Sequence, residues 1–309
     1  MKKLLFILIV LCLGGGLAYS QDQAQYSNYI ANQGLLNPAY NGTRDVLSGL
    51  IVHRSQWVGF EGAPMTDGFN IHGPIDDTPI GVGMVFQNDH IGFSNTFDFF
   101  VAGSYKLPIA KKGHILSLGL QAGLQSFIYD GTEAILDNTL DPNFAAKYSK
   151  LGVNFGFGAY YYAEKYFIGL SIPKFLNNNF DPNNEGYKST FDMKNTHMYI
   201  YGGYLYKIIE TQMKTTLLFK QVYGSPIQFD VSVSALLANR FWLGLSYRSL
   251  NDIVLLTDYI INRQFTLRYS FDFTFSDINH FSKAGTHEIG LQYDFSLNKR
   301  AGMRSIRYF

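Results

Sequence analysis

Cysteine is nearly absent: the 309-residue chain holds one, Cys12. Beyond that position, a disulfide framework and a Cys-based metal site are excluded. Proline is sparse, at 9 residues. Charge is scarce in both signs. Asp, Glu, Lys and Arg make up 16% of the chain, against about 25% in ordinary soluble domains. The 25 Lys and Arg balance 24 Asp and Glu, so no basic field invites nucleic acid. Long apolar runs are missing as well, and the mean hydropathy of −0.03 excludes a bundle of apolar membrane helices. What is plentiful is aromatic and small: 26 Phe, 22 Tyr, 2 Trp and 30 Gly. Such a composition excludes disorder and favours many β-strands.

The N-terminus reads as a targeting segment. Lys2 and Lys3 precede an apolar stretch, Leu4 to Leu13, and Ala18-Tyr19-Ser20 is a small-x-small cleavage site. Residues 1–20 are therefore expected to be a cleaved signal peptide. The apolar run is too short for a retained anchor. Cys12 is preceded by Val10 and Leu11 rather than small residues, which argues against a lipoprotein. Without Lys2 and Lys3 the balance is 23 basic against 24 acidic residues. Export leaves the periplasm, the outer membrane or the exterior.

Period-2 alternation runs through the remainder. In 115–128, Leu116, Leu118, Leu120, Ala122, Leu124 and Ile128 share one face, and Ser117, Gly119, Gln121, Gly123 and Gln125 the other. In 263–275, Phe265, Leu267, Tyr269, Phe271, Phe273 and Phe275 oppose Gln264, Thr266, Arg268, Ser270, Asp272 and Thr274. About fourteen such segments are expected, near 46–57, 66–73, 79–88, 95–107, 114–129, 150–163, 166–173, 195–208, 211–222, 226–237, 240–249, 252–260, 263–275 and 285–296. A soluble sandwich also alternates. It accounts poorly for Asp98, Lys106, Gln121, Asp230, Arg248, Arg268, Asp272, Glu288 and Asp294 on the second face of long strands. A membrane barrel puts apolar side chains on lipid and polar ones in its lumen.

Connection lengths add an independent argument. The turns after even-numbered segments are short, and the long loops 58–65, 130–149, 174–194 and 276–284 all follow odd-numbered ones. Bacterial barrels have short periplasmic turns and longer outer loops. The expected fold is an all-β, closed antiparallel transmembrane β-barrel over 46–296. Segment 21–45 is expected to be periplasmic, folding into or against the mouth as a candidate plug. A basic periplasmic tail, 297–309, follows, and both termini face the periplasm. Closure follows from hydrogen bonding, because lipid offers no partner to an unpaired backbone group.

Particular residues carry a resemblance. Asn37-Pro38-Ala39-Tyr40-Asn41-Gly42 is followed by Arg54-Ser55-Gln56-Trp57-Val58-Gly59-Phe60-Glu61-Gly62-Ala63-Pro64. Later come Leu170-Ser171-Ile172-Pro173, Arg240 to Ser249, and Gly285 to Leu291. In order and spacing the chain resembles the PorP/SprF family of type IX secretion outer-membrane proteins. The positions carrying it are Asn37, Pro38, Tyr40, Gly42, Arg54, Gln56, Trp57, Gly59, Phe60, Gly62 and Pro64. One departure is Asn41, where the family usually shows Ala. The resemblance implies an outer-membrane barrel that supports export, surface attachment or display of cargo such as large adhesins, with a link to gliding motility. Implied partners are outer-membrane lipid, type IX secretion components and a secreted surface protein. Glu288, Gly290, Tyr293 and Phe295 are similar to the C-terminal assembly signal of outer-membrane barrels, although residues follow them here.

Chemistry is not announced by any linear motif. The seven His show no ligand spacing, and no Gly-x-Ser-x-Gly, His-Glu-x-x-His or P-loop occurs. No catalytic residue, metal or cofactor is expected, and the chain is expected not to be an enzyme. An outer-membrane hydrolase would need a Ser and a His to converge in space. Asp141-Pro142-Asn143 and Asp181 to Gly186 are oxygen-rich, but turn formation explains them. Arg54 and Arg248 should face the lumen and pair with Asp98, Asp230 or Asp272, because a lipid-facing Arg at the midplane costs roughly 2–4 kcal/mol. Tyr148, Phe175, Phe180, Tyr187, Phe191 and Phe281 are candidates for a partner-binding rim. The alternative function is a porin or hydrophobic-solute channel.

Overall fold

The computed structural model describes residues 23–110, 113–133, 147–179, 188–191, 196–222, 225–249, 252–275, 282 and 284–295. Its strands are β1 (Leu47–Ser55), β2 (Met65–Pro74), β3 (Ile80–Ile91), β4 (Ser94–Ala110), β5 (His114–Asp130), β6 (Lys147–Tyr162), β7 (Tyr166–Ile172), β8 (Leu176–Asn179), β9 (Lys188–Phe191), β10 (His197–Ile208), β11 (Thr211–Val222), β12 (Gln228–Leu237), β13 (Phe241–Arg248), β14 (Asp252–Ile260), β15 (Phe265–Thr274) and β16 (Thr286–Phe295). Fourteen close into an antiparallel barrel in the order β1-β16-β15-β14-β13-β12-β11-β10-β7-β6-β5-β4-β3-β2. The pair β8–β9 stands apart as a two-stranded hairpin within the connection from β7 to β10. All fourteen expected segments fall on these barrel strands.

Alternation becomes inside and outside. On β13, Phe241, Leu243, Leu245 and Tyr247 are exposed, while Trp242, Gly244, Ser246 and Arg248 are buried. Leu118 and Tyr269 are 41% and 38% exposed, so neither is clamped between stacked sheets. The interior instead buries Asp98, Asp230, Arg248, Asp272 and Glu288. Closure is made by β1 on β16, with Leu47 opposite Phe295 and Ser55 opposite His287. The sheet therefore has no free edge strand, the arrangement lipid demands.

Two aromatic belts bound the apolar wall. At the short-turn end, Phe241 stacks on Tyr259 at 4.5 Å and Phe265 leans on Tyr293 at 4.4 Å. Near the long-loop end, Phe69, Phe86 and Phe99 form a ladder with spacings of 5.9 and 4.7 Å. One register line joins the belts, running Phe241, Tyr259, Leu267, Leu291, Ile51, Phe69, Phe86, Phe99. Strands about 4.8 Å apart and tilted roughly 40° raise that line by about 20 Å over its length. The outer-membrane hydrocarbon band is about 25 Å tall, so the belts sit where its two borders lie. The first and last strand ends, Leu47 and Phe295, meet at the short-turn end.

Candidate functional site

The lumen is occupied by the chain's own N-terminal segment. Residues 23–43 carry no charged side chain. Nearly all of 26–43 is buried, including Tyr26, Tyr29, Leu35, Leu36, Ala39 and Tyr40. A short helix, α1 (Gln33–Leu36), leads into a 3₁₀ turn, Pro38–Tyr40. Asn37 caps that turn by accepting from the Ala39 N–H at 2.9 Å. Its Nδ2 also donates to the Ala159 and Leu170 carbonyls of β6 and β7, at 3.2 and 3.3 Å. Proline at the first turn position fits this role, since its missing N–H is not needed there.

The wall makes room for this turn with glycine. Gly119 and Gly158 face each other on β5 and β6. A Cβ at Gly119 would strike the Pro38–Ala39 backbone, and one at Gly158 would strike the Asn37 amide. The motif Asn37, Pro38, Tyr40, Gly42 is therefore a lumen docking turn. Tyr40 meets Tyr160 and His72 edge-on at 5.5 and 5.2 Å. Gly42 has φ +73°, the left-handed region. Its N–H donates to His72 Nδ1 at 3.1 Å, and its carbonyl accepts from Lys106 Nζ at 3.0 Å.

Farther up, the segment crosses a ladder of wall charges. Arg54 Nη2 lies 2.8 Å from Asp272, and Arg248 reaches Asp230 and the same Asp272 at 3.0 Å each. Arg268 pairs with Asp258 at 2.7 Å, and Arg44 with Asp294 at 2.7 Å. The neutral segment threads these groups with charge-assisted bonds. Glu288 accepts the Ser27 N–H at 2.6 Å, the Asn28 N–H at 3.1 Å and Asn32 Nδ2 at 3.1 Å. Asn28 Nδ2 donates to Asp258 at 2.9 Å. Ser27 Oγ donates to Asp272 at 2.5 Å and accepts from Arg54 Nη1. Across the barrel, Tyr29 meets Thr216 Oγ1 at 2.8 Å, and Tyr26 donates to Gln87 at 2.9 Å. Burial pushes the Tyr26 and Tyr29 phenols well above their usual value.

The long-loop end is covered from the other side. Lys174, just past β7, pairs with buried Asp98 at 2.5 Å. Asp98 thus meets a loop lysine, whereas Arg54 and Arg248 take Asp230 and Asp272. Gln121 Nε2 donates to the Pro173 carbonyl at 2.9 Å. Asn154 clasps the Leu176 backbone twice, at 2.8 and 3.0 Å. The loop expected at 174–194 therefore bends inward and carries β8.

The remaining motif residues build the β1–β2 loop. The Gln56 N–H donates to Pro64 O at 2.9 Å, closing the hairpin. Trp57, Gly59 and Gly62 take positive φ. The Val58 N–H bonds Gly285 O and the Gly92 N–H bonds Gly62 O, tying three loops together. Phe60 is exposed. Of the assembly-signal positions, Glu288 points inward, Gly290 lies on the buried side of β16, and Tyr293 and Phe295 join the short-turn aromatic belt. Of the rim candidates, Tyr148 stacks on Tyr129 at 5.2 Å and Phe175 is half-buried, its N–H on Phe155 O at 2.8 Å. Phe191 ends β9. Phe180, Tyr187 and Phe281, the leader, the 297–309 tail and the oxygen-rich stretches 141–143 and 181–186 lie outside the described residues. Among the described residues no cluster of three metal-type side chains occurs.

A type IX secretion system membrane protein model, PorP/SprF, matches residues 18–293. The chain belongs to the PorP/SprF family. Its members are type IX secretion membrane proteins, and this one is an outer-membrane barrel. The CymD monoaromatic hydrocarbon channel shares the fold, with 10% identity, a TM-score of 0.52, and 86% of this chain and 93% of the channel covered. The Acinetobacter baumannii outer membrane protein Omp33 matches at 11% identity and a TM-score of 0.43, with 81% of this chain and 99% of Omp33 covered. No curated protein matches.

Proposed function

We propose that this PorP/SprF barrel works in type IX secretion through contacts and is not a conduit. It supports export, attachment or display of a surface cargo such as a large adhesin, and serves gliding motility through that cargo. The role makes and breaks no covalent bond. Its short-turn end faces the periplasm, in keeping with the turn lengths of bacterial barrels. Secretion components meet it there, and cargo meets the long-loop rim.

One observation carries this reading: the lumen holds residues 23–43, bonded to β3, β4, β6, β7, β11, β14, β15 and β16. A channel needs a continuous path, and the lumen charges Arg54, Arg248, Arg268, Asp258, Asp272 and Glu288 are spent on one another and on this segment. Single-channel recording of the purified protein tests it. Current steps no larger than those of the bare bilayer are expected, and stable open-pore steps would overturn it. Affinity purification from native membranes should bring down a type IX component or cargo.

A further inference from the structure

A barrel hydrolase requires Ser and His brought together in space, and β1 does this on its lipid-facing side. His53 and Ser55 stand two residues apart, so both side chains leave the outer face. Asp67 is the register partner of His53 on β2. His53 Nδ1 lies 2.7 Å from Asp67 Oδ1, and His53 Nε2 lies 2.9 Å from Ser55 Oγ. A carboxylate only accepts, so Nδ1 carries the proton and donates to Asp67. Nε2 then presents its lone pair, and the Ser55 hydroxyl donates to it. Nucleophile, base and orienting carboxylate thus stand in the order and tautomer that acyl transfer uses.

Depth in the wall names the substrate class. Asp67 lies two residues past Phe69 toward the long-loop end, and Ser55 is the last residue of β1. The three groups therefore sit at the border of the apolar band, where the ester carbonyls of bilayer lipids lie. A charge at that depth costs only about 0–1 kcal/mol. Apolar side chains flank the set. Met65 is the partner of Ser55, Ile289 is the partner of His53, and Ile51 lies below, with exposures of 45%, 50% and 58%. His287, opposite Ser55 on β16, donates from Nε2 to the Ala284 carbonyl at 2.9 Å. Its Nδ1 accepts from the Tyr269 hydroxyl at 2.9 Å, so both ring nitrogens are occupied and the imidazole is a fixed wall beside the set.

We propose that Ser55, His53 and Asp67 form an acyl-ester hydrolase site acting on membrane lipids of the leaflet at the long-loop end. Ser55 Oγ attacks the ester carbonyl carbon while its proton passes to His53 Nε2. Asp67 holds the resulting imidazolium. The carbon–oxygen bond to the lipid alcohol then breaks, and His53 returns the proton to that alcohol, releasing a lysolipid. Water, deprotonated by His53, attacks the acyl-Ser55 ester and frees the fatty acid. The site uses no lumen residue, so it stands or falls apart from the export role.

The test uses the full-length barrel in vesicles of phosphatidylethanolamine and phosphatidylglycerol. Lysolipid and fatty acid should appear in equal amounts, and a fluorophosphonate probe should label Ser55 in peptide mass spectrometry. Ser55→Ala, His53→Ala and Asp67→Asn should each lower release by roughly 10³-fold or more, with heat-modifiable gel migration of the barrel unchanged. Release that persists in Ser55→Ala would overturn the proposal. So would a folded wild-type barrel with no release above empty vesicles, or Ser55 labelling without lipid turnover.

Discussion

His53 and Arg54 are neighbours in sequence and opposites in setting. Both hold a carboxylate: His53 meets Asp67 at 2.7 Å on the outer wall, and Arg54 meets Asp272 at 2.8 Å in the lumen. Their side chains are 48% and 3% exposed. Inside, both partners have left water, so the bond is needed to offset desolvation. Outside, water and headgroups screen the pair, and its worth to stability falls to about 0–1 kcal/mol. The lesson is that one strand can carry a scaffold charge and a chemically available one, separated only by the pleat.

The comparison breaks most sharply at Asp272, which two arginines share. Asp272→Ala takes the shared carboxylate from both buried arginines, leaving Arg54 with Glu288 at 3.6 Å and Arg248 with Asp230 at 3.0 Å, and should cost about 3–5 kcal/mol. The temperature at which the folded barrel loses its fast gel migration should drop steeply. Next comes the lumen turn. Gly119→Leu fills the space of the Pro38–Ala39 backbone, so the turn should be expelled. Limited proteolysis should then cut within 24–43 while the barrel persists, whereas wild type should resist. Lys174→Ala removes the only described ion-pair partner of buried Asp98 and should cost about 1–3 kcal/mol, with new cleavage confined to the connection after β7. The smallest effect sharpens the contrast: His53→Ala should shift stability by under about 1 kcal/mol. A fall as large as that of Asp272→Ala would erase the distinction between the two faces.

The strands were legible because outward Phe, Leu and Tyr alternate with inward Asp, Gln and Ser on a strict period of two. The lumen placement of Arg54 and Arg248 followed from the cost of charge in lipid. Their partners Asp230 and Asp272 were among those expected, but Asp98 went to Lys174. That lysine sits in a connection with no period, so nothing local points to where its side chain reaches. The hairpin of β8 and β9 escaped for the same reason. So did the set around His53: Asp67 is remote in sequence, and only the β1–β2 register makes it a neighbour. Segment 21–45 reads as a candidate plug from its polarity and its Asn37-Pro38 turn. How closely it fits depends on glycines such as Gly119, whose reason for being small lies on another part of the chain.

The meeting of β1 and β16 also bears on how the molecule is assembled. This seam joins the two ends of the sheet, the most distant pairing the chain makes, and such long-range contacts form late. The closing strand brings Glu288, whose oxygens collect N–H groups from Ser27, Asn28 and Asn32. A cylinder zipped shut with its N-terminal residues left outside would trap that carboxylate with Arg54 alone. Seating the N-terminal segment and sealing the wall therefore favour each other, since the strand that closes the sheet also carries the carboxylate that holds Ser27, Asn28 and Asn32.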